Sequence, residues 1–497
     1  MRSAPAAETR PALPPLLGAR VGDGLRQGRV VVVGGGVSGL TVAWELCRKA
    51  PNVEVVLCEA STRFGGHLRT ERVGEFLLDV GADSFLGTRP EGVQLCRDLG
   101  LEEELIVPEP AGRGVYLAHE GALTRMPEGL SLGVPLRLAS LLDTPLLSPV
   151  GKLRALCEPF VPARRDDDDE SIASFTRRRL GAEMAERIAA PLLAGVVAGD
   201  PERLSMRAAF PQLVSHETRF GSLLRGMLGG KLLRALPTLL SEPSRAAAFV
   251  SFEGGLTRLV ERLVECVPAD VLRTNTAVRC VARSGSDAFR VDLESGESID
   301  CDVVVLALPP WHAAKLVPDA PLARELGAVR YSSTATVFFA FEGRDVERTL
   351  DASGFIVPEG EGDILASTWC SAKWAGRAPP GAVLLRAFLG GARHPEWVAE
   401  ADAVLAERAL SDLRRLMGGL GRPLFSRVHR FPRGNPQPEL GHEARLGRMA
   451  SRLALIPGLF LVGAGFGGVG VPDCVRQARA AVRVLLEGGP ASSSGVV

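Results

Sequence analysis

The sequence predicts a mixed fold, α/β plus α+β, with one parallel sheet assembled from separate pieces of the chain. Three patterns carry this prediction. A buried strand, a glycine turn, a helix and a second buried strand follow one another between residues 30 and 57. Strand patterns recur at 277–308, and a strand, a glycine turn and a helix occupy 459–486. Parallel strands need crossover connections, so these pieces are expected to form one Rossmann-like domain.

The first glycine turn has the spacing of a dinucleotide-binding fingerprint. Gly34, Gly36 and Gly39 form G-x-G-x-x-G between the strand and a helix pattern that starts at Ser38. The first glycine permits the turn, the second lets backbone approach a pyrophosphate, and the third lets helix and strand pack closely. The helix amino-terminus offers free N–H groups to phosphate. Glu59 follows Gly39 by 20 residues, where an acid binds ribose hydroxyls and disfavours a 2′-phosphate.

The residues after Glu59 favour FAD over NAD. Arg63, Gly65 and Gly66 complete E-x-x-x-R-x-G-G, which resembles the FAD signature of the superfamily of amine oxidases, phytoene desaturases and protoporphyrinogen oxidases. Paired glycines allow backbone to lie against a cofactor, and Arg63 adds positive charge near phosphate. The candidate FAD-binding residues of this region are Gly34, Gly35, Gly36, Val37, Ser38, Gly39, Glu59, Ala60, Arg63, Gly65 and Gly66.

Composition excludes several other classes of function. The 58 basic and 58 acidic residues balance among 497, so no global basic field recruits nucleic acid. Nine scattered cysteines and seven histidines show neither a C-x-x-C pair nor metal-ligand spacing, which favours reduced thiols, a cytoplasmic location and no metal. The uncharged stretch 453–472 contains Pro457 and several glycines, so it is interpreted as strand, turn and helix start and not as a transmembrane helix.

The chain is expected to alternate between three structural units. The predicted segments are a disordered extension at 1–27, FAD-binding pieces at 28–96, 251–311 and 438–488, a helical insert at 97–210, a connection at 211–250, a sheet-based substrate domain at 312–437, and a disordered tail at 489–497. The leucine-rich stretch 130–156 of the insert leaves two alternatives open. It forms either an apolar surface for the face of a membrane or an ordinary buried core.

Four further segments resemble the oxygen-dependent, FAD-containing protoporphyrinogen oxidases. They begin at Asp79 (D-V-G-A-D-S-F), at Pro191 (P-L-L-A-G-V-V-A-G-D-P-E-R-L-S-M), at Arg219 (R-F-G-S) and at Val462 (V-G-A-G-F-G-G-V-G-V-P-D-C). The resemblance implies a six-electron oxidation of protoporphyrinogen IX to protoporphyrin IX in haem biosynthesis. The flavin would accept hydride in each round, and molecular oxygen would reoxidise it with release of hydrogen peroxide.

The resemblance also implies substrate-binding residues. Arg113 matches an arginine that pairs with a propionate, and Gly195 matches a glycine whose carbonyl faces the pyrrole N–H groups. Ile356 and Trp369 fall near positions that sandwich the macrocycle. No catalytic side chain is assigned, because the cofactor carries the chemistry.

The same resemblance extends the list of cofactor contacts towards the carboxy-terminus. The backbone of Val278 is expected near adenine, and Val469, Gly470 and Val471 near the isoalloxazine. Gly463 lies in the last glycine turn. Asp473 starts the final helix, which it caps while helping to bind the cofactor. FAD is expected to be non-covalent, with Cys474 interpreted as helix packing.

Several alternatives remain open from the sequence alone. Coproporphyrinogen III, with four propionates in place of two, would need the same fold and chemistry. An amine oxidase or a carotenoid desaturase is a more distant enzyme class, although two tyrosines make an aromatic cage scarce. A non-enzymatic relative that binds prenylated GTPases conflicts with the intact FAD motifs. A homodimer, peripheral contact with the cytoplasmic membrane face and handover to a ferrochelatase are further expectations about partners.

Overall fold

A computed structural model describes residue 18 and residues 24–229, 248–285 and 288–487. The predicted amino-terminal extension, part of the connection at 211–250 and the predicted tail lie largely outside these residues. Within the described ranges, no helix combines the length and the apolarity that crossing a bilayer requires.

The centre of the cofactor domain is a five-stranded parallel sheet. Its strands are, in spatial order, Leu272–Arg273, Val53–Cys58, Gly28–Val33, Val303–Leu306 and Leu459–Leu461. The helices Val37–Lys49, Pro90–Asp98, Thr257–Cys266 and Val471–Glu487 contribute to the apolar cluster on one face. The helices Pro310–Leu316, Ala320–Gly327 and His442–Leu453 and the antiparallel strands Val278–Arg283, Phe289–Leu293 and Ser298–Cys301 cover the other. The sequence predicted this discontinuous assembly, because buried valine runs mark parallel strands.

The second domain is built on a seven-stranded sheet. Its order is Phe425–Gln437, Arg330–Glu342, Ala382–Gly390, Ala366–Trp369, Gly354–Ile356, Tyr116–His119 and Ala122–Arg125. The helix Asp402–Met417 packs on one face through a large apolar cluster. The opposite face meets the cofactor domain, where Arg386 donates to the carbonyl of Gly81.

Two strands of that sheet come from residues that the sequence assigned to the helical insert. Tyr116–His119 and Ala122–Arg125 form a hairpin, and Tyr116–His119 pairs in parallel with Gly354–Ile356. The residues at the turn, Glu120 and Gly121, both have positive φ, which is typical of a tight hairpin. The insert is therefore not helical throughout, because its first part completes the sheet of the other domain.

The remainder of the insert is mostly helical and apolar inside. Its helices are Leu138–Asp143, Pro149–Leu156, Ile172–Leu180, Ala182–Met184, a π-helical turn at Ala185–Ala189, Ala190–Gly195 and Met206–Ala209. The helix Pro211–Phe220 follows in the predicted connection. The leucine-rich stretch is divided between two environments. Leu141, Leu146 and Leu147 are buried, whereas Val150 and Leu153 are 77% and 64% exposed.

Short elements connect these units. The remaining strands are Thr70–Val73, Phe76–Asp79, Phe85–Leu86, Leu105–Ile106, Leu130–Ser131, Val134–Pro135 and Phe249–Phe252, and the remaining short helices are Glu102–Glu104, Glu158–Phe160, Ala269–Val271, Gly343–Asp345, Cys370–Lys373 and Pro395–Ala399.

Candidate functional site

The glycine turn after the first strand leaves a space bounded by backbone. A Cβ on Gly39 would lie 1.9 Å from the carbonyl oxygen of Gly34, and a Cβ on Gly34 would lie 2.5 Å from that of Ala307. These two glycines are therefore required for close packing. Gly36 differs, because nothing lies within 4 Å of the position its Cβ would take. That open space lies at the amino-terminus of the helix Val37–Lys49, whose second residue is Ser38.

A second glycine turn closes against the first. Gly65 donates its N–H to the carbonyl of Gly35 at 2.8 Å, and Gly65 and Gly66 both have positive φ. Arg63 fixes this turn by donating to the carbonyl of Gly66 at 2.6 Å. Burial, with a smaller contribution from Arg69, lowers the pKa of Arg63. Arg63 thus shapes the turn directly, and its predicted proximity to phosphate remains a prediction.

Glu59 lies at the carboxyl end of the second strand of the parallel sheet. Its carboxylate accepts the N–H of Gly35 at 2.7 Å and that of Ser61 at 2.8 Å. This arrangement holds the acid beside the glycine turn, and Ala60 is exposed next to it. Val278 is half-buried at the start of its strand, so its predicted contact with adenine is also still a prediction.

The carboxy-terminal turn brings the remaining predicted cofactor residues together. Gly463 has a φ of +139° and donates to Oε1 of Gln477 at 3.3 Å. Gly470 donates to Oδ2 of Asp473 at 3.2 Å, immediately before the helix that begins at Val471. Val469 packs against an apolar cluster of the insert that also contains Ala194, the neighbour of Gly195.

The carboxylate of Asp473 is buried and already paired. Arg476 donates to it at 3.0 Å, and Arg89 pairs with the same oxygen. Burial raises the pKa of the neighbouring Cys474 thiol to about 11, so this cysteine is neutral near neutral pH and a poor nucleophile. A neutral, unreactive thiol agrees with the interpretation of Cys474 as a residue that packs the helix.

The four predicted substrate residues lie in different environments. Arg113 is exposed, and no ion-pair partner of its guanidinium is found among the described residues. Gly195 is exposed at the end of its helix, with open space beside its Cα, although its carbonyl accepts the N–H of Ala198 at 3.3 Å. Ile356 is half-buried against apolar residues of the insert.

Trp369 does not fit its predicted role as a wall of the substrate site. Its side chain is 0% exposed and lies in the cluster beneath the helix Asp402–Met417. Its ring centroid is 5.8 Å from that of Tyr116 and 6.3 Å from that of Phe355. Successive residues of a strand point to opposite faces, and Trp369 points to the face away from the cofactor domain.

The sheet face that meets the cofactor domain carries aromatic residues that the sequence analysis missed. Phe388 is half-buried there, and the guanidinium of Arg386 lies 4.4 Å from its ring centroid and 5.4 Å from that of Phe338. Arg386 also donates to the carbonyls of Asp79 at 3.0 Å and Gly81 at 2.6 Å. One arginine therefore joins an aromatic surface to the D-V-G-A-D-S-F segment. The A-F-L-G-G pattern at the end of the strand Ala382–Gly390 was the available signal.

His67 is a second residue that the sequence analysis missed. It follows the paired glycines, and its ring meets that of Phe431 edge to face at a centroid distance of 5.5 Å. His67 is exposed, yet desolvation, with a smaller effect of Arg63, lowers its pKa. A neutral imidazole thus lies between the glycine turns and the second sheet. The region bounded by these turns, the Phe388 face and the turn at 195–199 is called the substrate cleft below.

These features define the class of protein. The open space at Gly36, the acid at Glu59 and two helix amino-termini suit the pyrophosphate and ribose of a dinucleotide, so the residues fit FAD, which supplies hydride-accepting chemistry when bound. The chain belongs to the family of flavin-containing amine oxidoreductases, whose family model matches residues 37–486. It is an FAD-dependent oxidoreductase.

Individual relatives of this chain have porphyrinogen oxidase names. A coproporphyrinogen III oxidase of Bacillus subtilis is 34% identical over 459 residues, covering 91% of this chain and 97% of the relative. A mitochondrial protoporphyrinogen oxidase of Nicotiana tabacum is 28% identical, covering 89% and 92%. A crystal structure assigned as a protoporphyrinogen oxidase from Exiguobacterium sp. 255-15 superimposes with a TM-score of 0.80 at 31% identity, covering 93% of this chain and 99% of that one.

Proposed function

We propose that this protein oxidises a porphyrinogen to the corresponding porphyrin, with molecular oxygen as the final acceptor. The observation that carries the proposal is the composition of the substrate cleft. It combines an aromatic surface at Phe388 with a small open residue at Gly195, and the family resemblance adds the exposed cation of Arg113. A flat, apolar macrocycle with carboxylate side chains has complementary chemistry.

The reaction consists of three rounds of two-electron oxidation. In each round the substrate loses a hydride and a proton, and one oxygen molecule is reduced to hydrogen peroxide. The cleft residues bind and orient the macrocycle, and the insert limits access of water. Aromatisation supplies much of the driving force, so the reaction does not require a strong side-chain base.

Coproporphyrinogen III is our preferred substrate, ahead of the protoporphyrinogen IX favoured by the sequence. One observation supports it. A Bacillus subtilis relative with the coproporphyrinogen III name shares 34% identity over nearly its whole length. Protoporphyrinogen IX remains the second candidate, because the Exiguobacterium structure with that name shares 31% identity.

The decisive experiment supplies each porphyrinogen to the purified holoprotein. We expect porphyrin fluorescence to rise with matched oxygen consumption and peroxide release, and kcat/KM to be higher for coproporphyrinogen III. Reactions without protein provide the control, because porphyrinogens oxidise spontaneously. Rates equal to that control for both substrates would exclude the proposed function, whereas a higher kcat/KM for protoporphyrinogen IX would reverse the substrate preference.

We further propose that FAD is bound without a covalent bond. The glycine turns and Glu59 supply the binding, and the buried Cys474 thiol is protonated near neutral pH. Acid denaturation is therefore expected to release all yellow colour to the supernatant. Colour retained in the pellet would contradict the prediction.

We also propose that the protein is cytoplasmic and contacts the membrane surface peripherally. Val150, Leu153 and Phe160 are exposed apolar residues of the insert, and Phe160 is 80% exposed. Co-flotation with phospholipid vesicles, lost in a Val150→Ser/Leu153→Ser/Phe160→Ser variant, would support this contact. Wild-type protein that does not float would exclude it. A homodimer and handover to a ferrochelatase remain predictions from the family resemblance.

A further inference from the structure

His67 lies where the glycine turns meet the second sheet. It follows Gly66 directly, and a Cβ on Gly66 would lie 3.4 Å from the Cα of Gly36. The backbone carbonyl oxygen of His67 would lie 1.8 Å from a Cβ on Gly81, so only glycine at position 81 allows this approach. The backbone of His67 is therefore held between the first glycine turn and the D-V-G-A-D-S-F segment.

The imidazole of His67 touches the sheet face that carries Phe388. Its ring meets that of Phe431 edge to face at a centroid distance of 5.5 Å. Thr334 lies opposite Phe431, and Thr336 lies opposite Phe388. Residues that are two apart in a strand, or directly opposite one another in neighbouring strands, point to one face. Phe431 and Phe388 therefore share a face, and His67 contacts this wall of the substrate cleft while it adjoins the glycine turns.

The side chain of His67 can exchange protons. It is exposed, and among residues 24–229, 248–285 and 288–487 neither of its ring nitrogens has a hydrogen-bond partner. Desolvation, with a smaller contribution from Arg63, lowers its pKa. The ring is therefore neutral near neutral pH, and its unprotonated nitrogen can accept a proton.

The other titratable groups on the elements that pack against His67 have charged neighbours of their own. They are His429 on the strand of Phe431, which lies 3.6 Å from Glu71, and Asp79 and Asp83 beside Gly81, which pair with Arg377 at 3.0 Å and Lys373 at 2.7 Å. Arg386 of the same sheet face donates to the backbone carbonyls of residues 79–81. Arg63 is thus the charged group that shifts the pKa of His67.

The proposed oxidation releases one proton from the macrocycle in each round. A C–H hydrogen leaves as hydride with its electron pair. An N–H bond then breaks, and its electron pair forms the new C=N double bond. The reduction of one oxygen molecule to hydrogen peroxide takes up the hydride and one proton. A group that accepts the N–H proton and later returns it balances the round, and a weak base is sufficient because aromatisation drives the reaction.

We propose that His67 accepts the N–H proton that the porphyrinogen releases in each round and returns it when oxygen is reduced to hydrogen peroxide. This inference rests on the proposed function and assigns a catalytic side chain to the same cleft. An N–H bond of the macrocycle breaks, and an N–H bond of the imidazole forms. The resulting imidazolium loses the proton again before the next round.

The test compares the pH dependence of kcat/KM in wild-type and His67→Gln holoenzymes. Protonation of the imidazole removes the acceptor, so the wild-type rate should fall as the pH drops through the pKa of His67, below its usual value of about 6.5. His67→Gln should lose this acid limb and be about a hundredfold slower at neutral pH. Its FAD content, melting temperature and Kd for coproporphyrin III should stay at wild-type values.

His394→Gln is the matched control. The ring of His394 stacks on Trp397 at a centroid distance of 3.8 Å, and Trp397 packs against the cluster beneath the helix Asp402–Met417, away from the cleft. This variant should keep both the rate and the acid limb of wild type. An acid limb that disappears in His394→Gln as well would overturn the assignment to His67.

Chemical rescue separates proton transfer from a structural role. In His67→Ala, added imidazole should restore part of the rate, whereas pyrazole, a ring of the same size and a much weaker base, should not. Equal effects of the two compounds, a wild-type rate in His67→Gln, or an acid limb that persists in His67→Gln would overturn this inference and leave the proposed function intact. A wild-type protein that oxidises no porphyrinogen would overturn both.

Discussion

The cofactor turn and the substrate cleft are built in opposite ways. The turn is formed by the backbone of neighbouring residues, and backbone oxygen atoms limit which side chains it can accept. The carbonyl oxygen of Gly34, for example, would lie 1.9 Å from a Cβ on Gly39. The cleft is made of side chains from distant segments, such as Arg386 and Phe388 facing Gly81. A site built from backbone should fail abruptly when one carbon atom is added, whereas a site built from side chains should respond in a graded way.

The variant with the largest expected effect tests whether the cofactor turn loses FAD abruptly when a side chain is added. Gly36→Val should give a folded protein without FAD, because the open space beside Gly36 holds no protein atom within 4 Å and suits a pyrophosphate. Circular dichroism and flavin absorbance would measure fold and cofactor separately. Gly39→Ala is the contrasting variant, since its methyl group would collide with backbone and should impair folding itself. Normal flavin content in folded Gly36→Val would show that the turn is only structural.

The variant with the next largest expected effect, Arg386→Met, tests how the cleft is joined to the cofactor domain. Arg386→Met leaves the carbonyls of Asp79, Val80 and Gly81 without their charged donor. Breaking such buried contacts typically costs about 3 kcal/mol, so flavin should be released at a lower temperature and kcat should fall. Arg427→Met changes an exposed arginine two strands away in the same sheet, and this variant should melt like wild type. Equal melting of the two variants would contradict the proposed link.

The two regions also differ in how far the sequence predicted them. The strand, glycine turn and helix around Gly34 are local signals, and the structure confirms them. The strand Tyr116–His119 was missed, because its parallel partner Gly354–Ile356 is remote in sequence. Trp369 was placed on the wrong face, since Thr368 pairs with Arg386 whereas Trp369 pairs with Leu385. A shift of one residue along a strand exchanges the two faces of a sheet, and a single sequence seldom resolves that shift.

A smaller effect is expected at the exposed cation. Arg113→Ala should raise KM for porphyrinogen about tenfold with FAD content unchanged, because a partly exposed charge pair contributes less than a buried one. Arg113→Lys should recover only part of the loss, since it cannot form the bidentate fork. Steady-state porphyrin formation, with flavin absorbance as the control, measures both variants. Unchanged kinetics in Arg113→Ala would remove this arginine from the cleft.

The smallest effect concerns Trp369 and separates the two faces of the sheet. Trp369→Phe leaves a small cavity among Tyr116, Phe355 and their neighbours and should cost about 1–2 kcal/mol of stability. No hydrogen bond is lost, because the buried indole N–H has no partner among the described residues. KM should stay at the wild-type value, since this side chain faces away from the cleft.

Phe388→Leu should show the opposite pattern, with a raised KM and a small change in melting temperature, because Phe388 is half-buried on the cleft face. The reverse result, a KM change in Trp369→Phe alone, would restore the tryptophan to the wall of the substrate site and would mean that the sheet presents its other face to the macrocycle.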